Sequence, residues 1–141
     1  MTMAHLYHSN KTIKWNSITG HAFHDNGVQA YNEITGHAYH KNGVQAYNSV
    51  TGHAYHDNGV QAYNKITRHA YHRNGVQAYN NVTGHAYHDN GVQAYNKITG
   101  KFYESNGAVV RKSSFSVSLG TGISMQILPN FKITVYGRKI D

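Results

Sequence analysis

Apolar and polar side chains recur along the first 116 residues with a period of sixteen, and each period holds two short bursts of alternation. In residues 21–36 the first burst is His21-Ala22-Phe23-His24-Asp25. Asn26-Gly27 follows, then a second burst, Val28-Gln29-Ala30-Tyr31-Asn32, and a polar link, Glu33-Ile34-Thr35-Gly36. Alternation over four to six residues is the signature of short strands. Asn-Gly between two of them predicts a hairpin, because a type I′ turn takes two residues with φ > 0. The predicted register opposes Asp25 with Val28, Phe23 with Ala30, and His21 with Asn32. If the four-residue link closes a second hairpin, Asn32 meets His37, the same His–Asn opposition. Both turns then demand one register, which predicts an all-β hairpin meander of about fourteen short strands.

The unit runs from residue 5 without an insertion, restarting at His21, His37, His53, His69, His85 and Lys101. Its consensus is His-Ala-Tyr-His-x-Asn-Gly-Val-Gln-Ala-Tyr-Asn-x-(Ile/Val)-Thr-Gly. Units two to six are nearly identical, whereas the first and seventh have drifted, as terminal units of a repeat array do. The same period also fits a β-solenoid with one 16-residue coil per unit. In that architecture Ala22, Val28, Ala30 and Ile34 would fill a narrow interior, and equivalent side chains would stack as ladders. Arg68 stands where other units end in glycine, so that position is not restricted to glycine. Residues 1–116 thus form a repeat region and 117–141 a C-terminal β cap. The cap holds strand candidates at 114–119, 123–128 and 131–136, with Gly120-Thr121-Gly122 as a turn.

Composition narrows the class. Only 13% of residues are charged, Tyr and His number 12 each, and aliphatic side chains are scarce. Disorder would want more charge and fewer aromatics, so a repetitive fold with thin, local packing is expected. There is no cysteine, hence no disulfide framework or thiolate metal site. The first residues lack the pattern of a signal peptide, which leads us to expect a cytoplasmic or leaderless-exported protein. No apolar run has the length of a membrane span. The net charge is +7, but the Lys and Arg residues are scattered over variable slots, which speaks against nucleic acid as a partner. All the acids but Glu104 and Asp141 occupy the two variable slots of the unit: Asp25 is matched by Lys41 and Arg73, and Glu33 by Ser49, Lys65 and Asn81. A fixed carboxylate for catalysis or metal binding cannot sit where the sign changes. No nucleophile elbow or phosphate loop is present, so neither an enzyme nor a cofactor is expected.

Two side-chain rows carry the candidate chemistry. Each of the first six units has His-x-x-His, and His21, His37, His53, His69 and His85 are the metal-ligand candidates. Residues i and i+3 of a strand point to opposite faces, so one pair cannot grip one ion. Equivalents in a meander lie two strand spacings apart, about 9.6 Å, which is too far to share one. The aromatics form two sets on opposite faces. One is Tyr7, Phe23, Tyr39, Tyr55, Tyr71, Tyr87 and Tyr103; the other is Trp15, Tyr31, Tyr47, Tyr63, Tyr79 and Tyr95. The second set, with Gln29, Gln45, Gln61, Gln77 and Gln93, is the candidate for binding a sugar polymer, whose ring faces stack on aromatics while its hydroxyls need amides. Ice binding through one Thr per unit is weaker, because the Thr lies beside a turn and off the strand face.

The Tyr-His-x-Asn-Gly segment followed by Thr-Gly resembles the variant MORN repeat, a β-hairpin unit. More loosely, the Asn-Gly-Val…Thr-Gly spacing is similar to the repeats of bacterial cell-wall and glucan-binding modules, although Trp15 is the single tryptophan. The resemblance covers residues 3–116 as a pattern and implies a non-catalytic interaction module. The expectation is a structural scaffold that associates with itself, with multivalent carbohydrate binding as the alternative.

Overall fold

The computed structural model describes residues 5–120 and 122–140. Fourteen strands form one antiparallel meander in which every strand pairs with its sequence neighbours. They are β1 (Leu6–Tyr7), β2 (Ile13–Trp15), β3 (Ala22–Phe23), β4 (Gln29–Tyr31), β5 (Ala38–Tyr39), β6 (Gln45–Tyr47) and β7 (Ala54–Tyr55). The series continues with β8 (Gln61–Tyr63), β9 (Ala70–Tyr71), β10 (Gln77–Tyr79), β11 (Ala86–Tyr87), β12 (Gln93–Tyr95), β13 (Phe102–Tyr103) and β14 (Val109–Val110). The sheet is open at β1 and β14, and the meander, not the solenoid, is the architecture.

The Asn-Gly turn differs from the expected type. Asn26 does not take a positive φ; Gly27 alone does, at 86°. His24 N–H donates to Val28 O at 2.8 Å and Gly27 N–H to His24 O at 3.0 Å. The loop is therefore three residues with glycine in the left-handed position, the next commonest hairpin after the two-residue turn. Phe23 consequently faces Gln29, not Ala30, and Ala30 becomes an extra residue before Ala22 meets Tyr31. The same one-residue shift recurs in units three to six. Beyond it the expected register holds, with Asn32 N–H on His37 O at 2.9 Å. A true type I′ turn does occur, at Tyr136-Gly137, where both residues have positive φ and Val135 pairs with Arg138.

The tail contributes four strands where two or three were expected: β15 (Phe115–Gly120), β16 (Ile123–Leu128), β17 (Lys132–Val135) and β18 (Arg138–Lys139). Its alternation is regular. Val117, Leu119, Ile123, Met125, Ile127, Ile133 and Val135 are buried, and they form one core with the alanines and Tyr47 and Tyr63 of the meander. Phe115 packs edge-on to His72 and His88, while Gly120, five residues on, lies beside His40. The tail strand thus runs along the array, across the short strands, as in orthogonal sheet packing. The cap covers a face of the repeat region.

Candidate functional site

Each unit is stitched to the next by the same side chains. The fourth-position histidine donates its Nε2–H to the carbonyl of the third residue in the following unit: His24 to Tyr39 O at 2.7 Å, His40 to Tyr55 O at 2.6 Å, His56 to Tyr71 O at 2.7 Å. The turn asparagine does likewise, Asn26 Nδ2 to Lys41 O at 2.9 Å and Asn42 Nδ2 to Asp57 O at 2.8 Å. Burial pushes His24, His40 and His56 below the ordinary imidazole range, against the opposite pull of the accepting carbonyls. The sign changes in the fifth position also acquire a structural meaning. Asp25 pairs with Lys41 and Asp57 with Arg73, each at 2.7 Å, so opposite charges alternate down the turn row. The sign change was legible in the sequence as a bar to a fixed carboxylate; its second meaning, pairing between adjacent units, needed the turns side by side.

The metal candidates each use one ring nitrogen within the fold. Nδ1 of His21, His37, His53, His69 and His85 accepts a backbone N–H from the thirteenth residue of its own unit, at 3.0–3.1 Å. No group of three potential ligands occurs among the described residues.

The two aromatic sets do lie on opposite faces. Trp15, Tyr31, Tyr47, Tyr63, Tyr79 and Tyr95 share the alanine face, over which the tail folds. Tyr63 stacks on Phe131 at 4.1 Å, Arg138 sits over Tyr31, and Tyr47 and Tyr63 are buried. Gln29, Gln45, Gln61, Gln77 and Gln93 stand on the other face, paired across strands with Phe23, Tyr39, Tyr55, Tyr71 and Tyr87. The candidate tyrosines and glutamines are therefore on opposite sides of the sheet. The face that the tail leaves uncovered carries the first aromatic set; the five rings from Phe23 to Tyr87 are half-buried with a glutamine opposite each, whereas the exposed Tyr7 faces Ile13 and Tyr103 faces Val109. Each glutamine is held by the neighbouring asparagine, for example Asn48 Nδ2 on Gln45 Oε1 at 3.1 Å.

A further row was not anticipated. Ile18, Ile34, Val50, Ile66, Val82 and Ile98 project from the four-residue links with 80–86% of their surface exposed. Beside this row, between the links of units four to six and the tail segment 127–131, lies a cleft lined by Lys65, Arg68, Asn81, Lys97, Asn130 and Phe131. No protein family, curated protein or solved structure matches this chain.

Proposed function

We propose that this chain is a non-catalytic structural repeat protein that associates with itself end to end. The observation that carries this reading is the state of the two outer strands. Among the described residues β1 and β14 each have one neighbour only, and Leu6, Tyr7 and Val109 are 54%, 57% and 65% exposed. Six turn asparagines give their side-chain N–H to the next unit. Asn106 holds the same turn with Ala108 N–H on its Oδ1, but no further unit follows it. A second copy offering its first unit would continue the meander and receive that donor. Open, unblocked strand edges are templates for such addition, and a head-to-tail contact that repeats the internal geometry does not close on itself. The exposed Ile/Val row adds apolar surface that filaments could bury side by side. Size exclusion with light scattering over a concentration series tests the reading. Association should rise with concentration and be abolished by Leu6→Lys with Val109→Lys, which place charge on both edges. A monomer at every concentration would sink it.

A second reading, multivalent glycan binding, is favoured by the uncovered face. Its aromatic–glutamine pairs recur every two strand spacings, about 9.6 Å. That step is close to two sugars of an extended, equatorially linked chain, and weak repeated sites gain avidity. Retention of the protein by insoluble cellulose, lost in Tyr39→Ala with Tyr55→Ala and Tyr71→Ala, would support it.

A further inference from the structure

Among the described residues, Arg68 is the one departure from glycine at the last position of units one to six, and it is strained. Its φ is 63°, in the left-handed region where its counterparts Gly20, Gly36, Gly52, Gly84 and Gly100 sit at 73–80°. A non-glycine residue there costs roughly 1–2 kcal/mol. Strain held at one unit of a near-identical series points to a use for that side chain. Lys65 and Lys97 stand in the variable thirteenth slot, which elsewhere holds Ser17, Glu33, Ser49 and Asn81. The fold brings all three cations to one cleft of about 500 Å³, walled by Phe131 and Tyr79, with the amides of Asn81 and Asn130 at its rim. None of the described acidic side chains lines it, whereas the Glu33 slot nearer the array's start is neutralised by Arg138. The volume is within the range of small-molecule sites.

We infer that this cleft binds an acidic saccharide unit, a pyranose bearing a carboxylate or phosphate. Arg68 meets the anion with a planar fork suited to carboxylate or phosphate oxygens, and Lys65 and Lys97, towards the two ends of the cleft, add positive charge to it. Tyr79 and Phe131 offer apolar ring faces to the sugar, and Asn81 and Asn130 offer hydrogen bonds to its hydroxyls. The inference rests on neither reading above, since the cleft lies on the tail side of the sheet and away from both outer strands.

The test is titration of the full chain, at a concentration where scattering shows one species, with oligogalacturonate, neutral galactose oligomers, inorganic phosphate and adenosine monophosphate, followed by amide NMR. Oligogalacturonate should shift Arg68, Asn81, Asn130 and Phe131, and neutral oligomers should not. Arg68→Gly should weaken binding about tenfold, and Lys65→Ser with Lys97→Ser should do the same. These variants place residues that the chain's own units already hold at those positions, so folding is preserved. Absence of shifts at the cleft, or binding unchanged in Arg68→Gly, overturns the site. Inorganic phosphate binding as tightly as the oligosaccharide, or the nucleotide binding more tightly, overturns the saccharide class. Because association is monitored separately, its failure leaves this result readable.

Discussion

Arg68 and Lys11 hold the left-handed conformation that glycine holds in the corresponding places of other units, with φ of 63° and 72°. Replacing either by glycine removes a Cβ penalty but enlarges the unfolded ensemble, and the first effect is the larger. Each change should raise stability by about 1 kcal/mol, read as a higher midpoint in urea with an unchanged slope. For Arg68→Gly the gain in stability would accompany the loss of anion binding. Tyr136 presents the opposite case. Its hydroxyl meets Nδ1 of the fully buried His24 at 2.9 Å, and its ring lies within 6.2 Å of His8. Tyr136→Phe leaves that nitrogen without its partner and should cost about 1 kcal/mol. No loss of stability in that variant would show that the contact is not made in solution.

At the level of the strand, the alanines are the tightest positions. Ala30, Ala46, Ala62 and Ala78, each the extra residue of its bulge, are 0% exposed. Ala62→Val should therefore overpack and cost about 1–3 kcal/mol, while Val82→Ser in the exposed row should change stability little; urea unfolding of the two distinguishes them. The period, the four-residue link and the tail strands were legible because turn residues and alternation are local. The bulge was not. Two-residue and three-residue hairpins share the Asn-Gly signal, and only the φ of Asn26 decides between them. Nor could the sequence assign which aromatic set is covered, because both sets repeat identically. The choice is made by Phe131 and Arg138, more than fifty residues beyond the tyrosines they touch. Lys65, Arg68 and Lys97 looked like scatter until the tail segment was set against them.

For the molecule as a whole, the histidine stitches tie stability to pH. His24 faces Tyr136, His40, Lys41 and Asp25; His40 faces Asp57; His56 faces His40, His72 and Asp57. The folded state holds these three imidazoles below their unfolded value of about 6.5, so below that pH the unfolded chain binds more protons. Their contribution is thus fully present above pH 6.5 and is lost as pH falls toward the depressed folded values. Thermal midpoints should fall between pH 7 and pH 5, and less steeply in His40→Gln; a flat profile would rule out the linkage. The cap has a different consequence at this scale. A hairpin array can lengthen by duplication without geometric limit, but the tail has one fixed reach, from Tyr136 beside His8 and His24 to Phe115 beside His88. It therefore works as a gauge. A gene that gained further copies of the unit would leave their alanine–tyrosine face bare, so selection can trim the repeat number to what one tail spans. Under the proposed end-to-end association, greater length would come from joining whole chains, each bringing its own cover.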